Sequence, residues 1–388
     1  MTRRRGHGKS LRLEAPPAES TRLAAGDGLT AAVESVELLD GGDQAYPRML
    51  AAIAQATRSV HLEVYAFASS GVGARFIEAL SEAAGRGVEV RVVIDGWGSA
   101  SDGSHVAAAL RAAGCETKIY NRLRVLLLGR FARNHRKMLL IDDELAFLGG
   151  INIGDENLRA AGRPGWADLA FEIRGPQCAR LRQMIHRRPR RPIDSVMRIE
   201  LCGLGGGWRL RRRYIKAFSG ARQRILIAHG YFLPDRGIVR AITAAARRGV
   251  QVRLLLAGSS DVPFARAATR RLYRRLLVAG VRIHEWSHSV LHAKLATVDG
   301  QRLIAGSFNL DPFSLANLEV LVEVSESKVV GQAEAWIHDH LARARPITHA
   351  EASSRMQTWL FGPLGWLVAR LAERIGRGLA GDSRVVRG

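Results

Sequence analysis

The stretch HRKMLLIDDELAFLGGIN, residues 135–152, is repeated in altered form as HAKLATVDGQRLIAGSFN, residues 292–309. Both copies contain a His, a Lys two positions later, an Asp five positions after that Lys, and a closing Asn. Each of these positions lies 157 residues from its counterpart, as 292 − 135 shows for the His. Only six of the 58 basic residues are Lys, so a matched pair of such motifs indicates an internal duplication rather than chance.

The residue after each Lys begins a short apolar run, residues 138–141 and 295–298, which predicts a buried strand. Residues two apart on a strand share a face. Each His and its Lys are therefore expected to point into one pocket. A core His with a snorkelling Lys would explain one copy about as well, but two aligned copies favour a functional site.

A His–Lys pair on one face suits an anionic centre. The Lys ammonium supplies a compact positive charge for a phosphate oxygen, and the His can act as nucleophile, acid or base near neutral pH. One His can attack or protonate, but it can hardly do both in one step. The two copies are therefore expected to work together.

The repeated motif resembles the HxKxxxxD signature of the phospholipase D superfamily, which occurs there in this two-copy form. The segments 149–152 and 306–309 are similar to the G-[GS]-x-N segment of that family. Within the superfamily, residues 135–156 and 306–315 most resemble the bacterial cardiolipin synthases. The resemblance extends over residues 38–345, which is most of the chain.

The predicted fold is α/β, and two segments carry the pattern. A β-α-β-α-β rhythm across residues 36–94 returns in residues 224–253 and argues for sheets covered by helices. The resemblance implies two duplicated α-β-α sandwich domains related by a pseudo-twofold axis, with the active site at their interface. The predicted divisions are a flexible basic tail (1–34), a first domain (35–185), a basic linker (186–198), a second domain (199–345) and an amphipathic, membrane-associating tail (346–388).

The resemblance also implies the site residues. The candidate catalytic set is His135, Lys137, Asp142, His292, Lys294 and Asp299. Asn152, Ser307 and Asn309 are the candidate phosphate ligands, and Asp168 and Glu319 fall where the family carries the carboxylate that orients each His. Within the catalytic set we interpret the two motif aspartates as more structural than catalytic, because they lie three residues past the active face of the strand. Gly150 stands where the other copy has Ser307, so the halves are not equivalent.

The resemblance implies phosphatidyl transfer through a phosphohistidine. One His attacks phosphorus, and the other protonates the departing alkoxide and then deprotonates the incoming alcohol. By the family pattern His135 is the nucleophile and His292 the acid and base, although the residues alone do not decide this. The two Lys and two Asn are expected to hold the phosphate oxygens, so no metal or other cofactor is predicted. The product is expected to be cardiolipin made from phosphatidylglycerol. Hydrolysis of phospholipids, a nuclease or phosphodiesterase activity, and a non-catalytic membrane scaffold remain alternatives.

The composition limits the partners. A formal charge of +22 draws the chain toward polyanions, either nucleic acid or an anionic membrane face, and composition does not choose between them. The apolar, Arg-containing segment 359–379 favours the membrane and makes nucleic acid the weaker candidate. The expected lipid substrates are phosphatidylglycerol and, as a further candidate, phosphatidylethanolamine. No apolar run is long enough to predict a spanning helix, and the three Cys lack the spacing of a zinc site. We therefore expect a peripheral protein on the cytoplasmic side of the bacterial inner membrane, of undetermined oligomeric state.

Overall fold

The computed structural model describes residues 35–121, 132–160, 163–186, 197–260 and 263–353. The predicted basic tail lies outside these residues, as do nearly all of the predicted linker and most of the predicted amphipathic tail. Among the helices that fall inside them, none is both long enough and apolar enough to cross a bilayer.

The first half of the chain forms a mixed sheet. Its elements in chain order are β1 (Ser35–Asp40), α1 (Gly41–Gln55), β2 (Ser59–Val64), α2 (Val72–Gly85), β3 (Glu89–Asp95), α3 (Gly103–Ala112), β4 (Glu116–Tyr120), β5 (Met138–Ile141), β6 (Leu145–Gly149), β7 (Leu169–Arg174) and α4 (Gln177–His186). The strand order is β1-β7-β6-β5-β2-β3-β4, in which β2, β3 and β4 are parallel and the remaining pairs are antiparallel.

The second half repeats this plan. Its elements are β8 (Met197–Cys202), α5 (Gly207–Gly220), β9 (Arg224–His229), α6 (Arg236–Arg247), β10 (Gln251–Ala257), α7 (Pro263–Val278), β11 (Arg282–Trp286), β12 (Lys294–Val298), β13 (Arg302–Gly306), β14 (Glu319–Val324), α8 (Ser327–Arg343), β15 (Arg345–Pro346) and α9 (His349–Ser353). The order β8-β14-β13-β12-β9-β10-β11-β15 matches the first sheet strand for strand and adds β15 at one edge. The predicted duplication is therefore confirmed.

Three apolar cores join these elements. Helices α1, α2 and α3 pack on one face of the first sheet, and α5, α6 and α7 pack on one face of the second. The third core lies between the two sheets and includes buried side chains of α4 and α8. Each sheet thus has helices on both faces, which confirms the predicted fold class. The two sheets share a core, so the halves meet along a wide buried surface.

Two boundaries differ from those predicted. β8 begins at Met197, two residues before the predicted start of the second domain. The predicted membrane-associating tail begins too early, because Arg345–Pro346 pairs with β11 and Ile347 is buried in the second core. Residues 346–353 therefore belong to the second domain, since their backbone hydrogen bonds and apolar burial are made there.

Candidate active site

The segments that carry the two histidines are fixed by the opposite half of the chain. The backbone N–H of His135 donates to the carbonyl of Leu318 at 2.9 Å, and the N–H of Leu318 donates to the carbonyl of Arg133 at 2.8 Å. In the same way the N–H of His292 donates to the carbonyl of Ala167 at 2.9 Å. The segment before each His thus pairs with the segment before the carboxylate of the other half. The expectation that both His lie on strands was wrong in detail, because β5 and β12 begin after them.

The orienting carboxylates cross between the halves. Glu319 Oε2 lies 3.1 Å from Nδ1 of His135, and Asp168 Oδ2 lies 2.6 Å from Nδ1 of His292. Both carboxylates are buried. Each pair uses Nδ1, which leaves Nε2 of each ring for chemistry. Neither half contains a complete site, because each His depends on a carboxylate from the other half.

The two lysines lie in the same pocket as the histidines. Lys137 Nζ donates to the carbonyl of His135 at 2.9 Å, and Lys294 Nζ donates to the carbonyl of His292. Burial and the charge of Lys294 lower the pKa of Lys137 to about 7. Burial lowers the pKa of His135 well below its ordinary value, and the charges of Lys137, Lys294 and His292 add to that effect. The crossed His–carboxylate contacts place both motifs at one interface, where the two lysines lower the pKa of His135.

Among the candidate phosphate ligands, the two Asn side chains differ from Ser307 in what they contact. Asn152 Oδ1 accepts a hydrogen bond from the N–H of Ala66 at 3.1 Å, which orients the side-chain amide. The side-chain oxygen of Asn309 is buried and has no hydrogen-bond partner in the described part of the chain. The Ser307 hydroxyl donates to Glu319 and accepts from the N–H of Val320 at 3.0 Å. The prediction that Ser307 binds phosphate is therefore corrected, because its hydroxyl is already used to hold the carboxylate that orients His135.

Gly150, the counterpart of Ser307, has a steric reason to be Gly. A Cβ at this position would lie 2.4 Å from the Asp168 carboxylate, which no side chain could tolerate without displacing it. The two positions therefore complement different carboxylates: Gly150 makes room for Asp168, and Ser307 donates to Glu319.

The two motif aspartates lie at turns after β5 and β12, with positive φ values of 52° and 55°. The Asp142 carboxylate accepts from the backbone N–H groups of residues 57, 58 and 59. The Asp299 carboxylate accepts from those of residues 222, 223 and 224. Each one fixes the turn before the neighbouring strand. These contacts support the interpretation of the two aspartates as structural, and their membership of the catalytic set stays a prediction.

The model of the family described as cardiolipin synthase, phospholipase D-like domain, matches residues 49–163 and 214–341. The chain belongs to this family.

Relatives support this membership across most of the chain. Cardiolipin synthase B of Salmonella typhi is 35% identical over 308 residues, covering 73% of this chain and 75% of that protein. Cardiolipin synthase B of Escherichia coli K12 is 32% identical over 330 residues, covering 75% of this chain and 76% of that protein. The crystal structure of phosphatidylserine synthase from Haemophilus influenzae has a TM-score of 0.70 at 14% identity, covering 90% of this chain and 96% of that one, which shows a shared fold.

Within this phospholipase D-like site, the sequence did not predict the aromatic side chains that border the histidines. The Tyr65 ring lies 4.9 Å from the His135 ring, and Tyr231 and Trp166 lie 5.8 Å and 5.3 Å from the His292 ring. Tyr65 directly follows β2, and Tyr231 follows β9 by two residues. Side chains at the carboxyl ends of adjacent strands commonly line a site, and that position was the available signal.

The two carboxylates of the family site differ in how readily they ionise. Burial raises the pKa of Glu319 to about 7, against the hydrogen bond from Ser307 and the charge of Lys137. Burial acts in the same direction on Asp168, but the charges of Lys294 and His292 outweigh it and lower the pKa. His292 therefore faces a fully ionised carboxylate at neutral pH, whereas His135 faces one that is partly protonated. In the described residues, no cluster of three or more His, Cys, Asp or Glu side chains is arranged to hold a metal ion.

Proposed function

We propose that this chain makes cardiolipin by transferring a phosphatidyl group from one phosphatidylglycerol to the hydroxyl of another, with release of glycerol. The observation that carries the proposal is the pair of histidines joined to crossed carboxylates beside two buried lysines. Such a pocket offers a nucleophile, an acid and positive charge to one phosphodiester. The relatives named cardiolipin synthase supply the identity of the lipids.

In the first step His135 attacks phosphorus with Nε2 while His292 gives its proton to the departing glycerol oxygen. A nucleophile must be unprotonated, and the strongly lowered pKa of His135 keeps it so. An acid must hold a proton. Burial and the charge of Lys294 lower the pKa of His292, and the 2.6 Å contact with the ionised Asp168 opposes that shift by stabilising the imidazolium. The unequal carboxylates thus favour the roles that the family pattern suggested.

In the second step the acceptor hydroxyl loses its proton to His292, its oxygen bonds to phosphorus, and the bond from phosphorus to His135 breaks. Lys137, Lys294, Asn152 and Asn309 hold the non-bridging oxygens as charge builds. Water in place of the acceptor hydroxyl would give hydrolysis from the same intermediate, so exclusion of water decides between transferase and phospholipase.

The proposed location is the cytoplasmic face of a bacterial inner membrane, where the chain binds peripherally. A formal charge of +22 favours an anionic surface, and the apolar, Arg-containing segment 359–379 is suited to the lipid interface. The proposed lipid substrates are phosphatidylglycerol, with phosphatidylethanolamine as a second donor to be tested.

The test is to incubate purified protein with phosphatidylglycerol vesicles, with and without phosphatidylethanolamine, and to identify lipids and released alcohols by mass. Cardiolipin and glycerol are expected. Phosphatidic acid as the main product would instead make the chain a hydrolase, and cleavage of DNA in a parallel reaction would favour the nuclease.

Two variants test the roles of the histidines. His292→Ala and His135→Ala are both expected to abolish cardiolipin formation. A phosphodiester with a nitrophenol leaving group needs no acid, so His292→Ala should still release nitrophenol in a first burst and His135→Ala should not. The opposite result would exchange the two roles.

A further inference from the structure

Arg133 lies at the edge of the pocket and takes no part in the reaction described above. It precedes His135 by two residues and Lys137 by four, in an extended segment where alternate residues share a face. Tyr65 contacts all three residues. Its hydroxyl accepts a hydrogen bond from Arg133 Nη1 at 3.1 Å, and its ring lies 4.9 Å from the His135 ring and 4.8 Å from Lys137 Nζ. The Arg133 guanidinium therefore belongs to the same wall as the proposed nucleophile.

The guanidinium is held in place but is not neutralised. It lies 4.3 Å from the centre of the Trp97 ring, a cation–π contact that fixes its plane. Arg133 is partly exposed, whereas His135 and Lys137 are buried, so its charge is at the entrance. Within the described ranges, no carboxylate comes within ion-pair distance of it.

Asp95 is the carboxylate whose pKa Arg133 helps to lower, although burial raises that pKa overall. Its oxygens accept hydrogen bonds from the backbone N–H groups of Trp97, Gly98 and Asn134 at 2.9, 3.0 and 2.8 Å. The Asp95 oxygens thus accept from backbone N–H groups and not from Arg133. The guanidinium of Arg133 therefore keeps N–H donors available for a ligand.

The equivalent position in the second half does not carry a cation. The residue two positions before His292 is Val290. At this pair of equivalent positions, a fixed positive charge extends the pocket on the His135 side, and an apolar residue stands on the His292 side. The two His–Lys pairs are enough to bind one phosphodiester. An additional cation on one side is therefore suited to bind a second anionic group.

We propose that Arg133 binds the phosphodiester of the acceptor lipid while the acceptor's hydroxyl attacks the phosphorus held by His135. This inference rests on the proposed function. In cardiolipin a single glycerol separates the two phosphates, so the acceptor's own phosphate must lie beside the reacting one. Arg suits this task because its planar guanidinium can donate two hydrogen bonds to a phosphate. Arg133 forms and breaks no covalent bond; it makes an anionic acceptor a better one than a neutral alcohol or water.

The experiment lets two acceptors compete for the same phosphatidyl intermediate. Phosphatidylglycerol vesicles are incubated with isotopically labelled glycerol, and the ratio of cardiolipin to labelled phosphatidylglycerol is measured. Both products arise from one intermediate, so the ratio does not depend on donor binding or on the attack by His135. Arg133→Gln is expected to lower this ratio about tenfold, the effect of losing one charge-assisted hydrogen bond. Arg133→Lys keeps the positive charge but not the planar guanidinium, so its product ratio should lie between those of the wild type and Arg133→Gln.

A second arm separates phosphate recognition from recognition of the lipid. Glycerol 3-phosphate is added to the same vesicles and competes with labelled glycerol for the phosphatidyl intermediate, and Arg133→Gln should lower its share of the product relative to labelled glycerol as well. If Arg133→Gln lowered the yield from phosphatidylglycerol as acceptor but not the yield from glycerol 3-phosphate, phosphate binding by Arg133 would be overturned.

Arg302→Gln is the matched control, because Arg302 begins β13 at the end away from Gly306 and is paired with Glu323 at 3.2 Å. It should leave both ratios unchanged. An unchanged ratio in Arg133→Gln, with both products formed, overturns the inference alone. A wild-type protein that forms neither product overturns the proposed function itself.

Discussion

The two half-sites hold the same reacting groups on different supports. Beneath His135, buried Glu63 accepts hydrogen bonds from Asn134 at 2.8 Å and from Arg136 at 3.4 Å. Arg136 also donates to the carbonyl of Cys202, in the opposite half, at 2.8 Å.

The second half is apolar at these places. Ala293 stands where Arg136 does, and Ala228 corresponds to Glu63, because each pairs with the first apolar residue after the motif Lys. Duplication has thus preserved the His, the Lys and the orienting carboxylate, whose geometry the chemistry demands. The supporting residues have diverged, since polar and apolar packing can each position a backbone.

A second difference lies in the carboxylates themselves. Asp168 is held beside Gly150 and has a lowered pKa, while Glu319 is held by Ser307 and has a pKa of about 7. The two His rings therefore face carboxylates of different charge at neutral pH, which is the basis of the roles proposed above. Four sets of variants test this comparison.

The largest effect is expected from the orienting carboxylates. Asp168→Asn removes the anion that stabilises protonated His292, so kcat for cardiolipin formation should fall by about 10⁴-fold, the loss known for the Asp of a Ser–His–Asp triad. Glu319→Gln should cost less at pH 7, because Glu319 is partly protonated there already. Equal losses in the two variants would contradict the assigned difference between the half-sites.

The pH profile separates the same two residues. As pH rises through about 7, Glu319 loses its proton and becomes a stronger acceptor for His135, so kcat/KM should rise. Lys137, with a pKa of about 7, loses its charge over the same range and should cause the fall on the alkaline side. The Glu319→Gln variant should lose the acid-side rise, and a profile that keeps it would assign that limb to another group.

The buried ion pair under the first half-site should matter most for stability. Arg136→Met takes the Arg136 cation away from the buried Glu63 carboxylate, which keeps its contacts with His61 and Asn134, and should lower the free energy of unfolding by about 3 kcal/mol. Adding Glu63→Gln removes the buried negative charge and should recover part of that loss. Urea unfolding of the two single variants and the double variant measures the coupling, and strictly additive losses would show that the pair does not interact.

Smaller effects on kcat are expected from changes to Gly150 and Ser307, which lie beside the two carboxylates. Gly150→Ala places a methyl group against Asp168 and should turn that carboxylate away from His292, lowering kcat about 10²-fold. Ser307→Ala removes one hydrogen bond to Glu319 and should cost only a few-fold. If Gly150→Ala were fully active, the close approach at Asp168 would have no functional role.

The smallest difference is expected at the motif aspartates. Asp142→Asn and Asp299→Asn each weaken hydrogen bonds to three backbone N–H groups and should each lower the free energy of unfolding by about 1–2 kcal/mol. Folded protein should keep its kcat, since neither side chain reaches the pocket. A large loss of kcat without a loss of stability would keep these residues in the catalytic set.

The fold and the reacting groups were largely predictable because they depend on local and repeated patterns. The short apolar runs after each Lys predicted β5 and β12, and the 157-residue offset predicted two equivalent sheets. That the two halves form one site was predictable only from the presence of both copies, because one copy supplies a single His. The tail boundary at 345 failed because Ile347 is buried by tertiary contacts that no local pattern records.

Other parts of the site could not be read from the residues. Ser307 matched a family segment for phosphate contact, yet its hydroxyl is bonded to Glu319, twelve residues away in sequence. Arg133 and Tyr65 are 68 residues apart and meet only because β2 and β5 are neighbours in the sheet. Side-chain partners of this kind depend on packing.

By itself, the sequence determined that two His–Lys motifs of one origin would act together on an anionic substrate, because residue type and spacing fix both charge and direction along an extended chain. Only the tertiary structure decided that each His takes its carboxylate from the other half, that Ser307 supports rather than binds, and that Arg133 stands at the pocket's edge. These outcomes depend on distances between segments far apart in the chain, and such distances are set when the two sheets share a core.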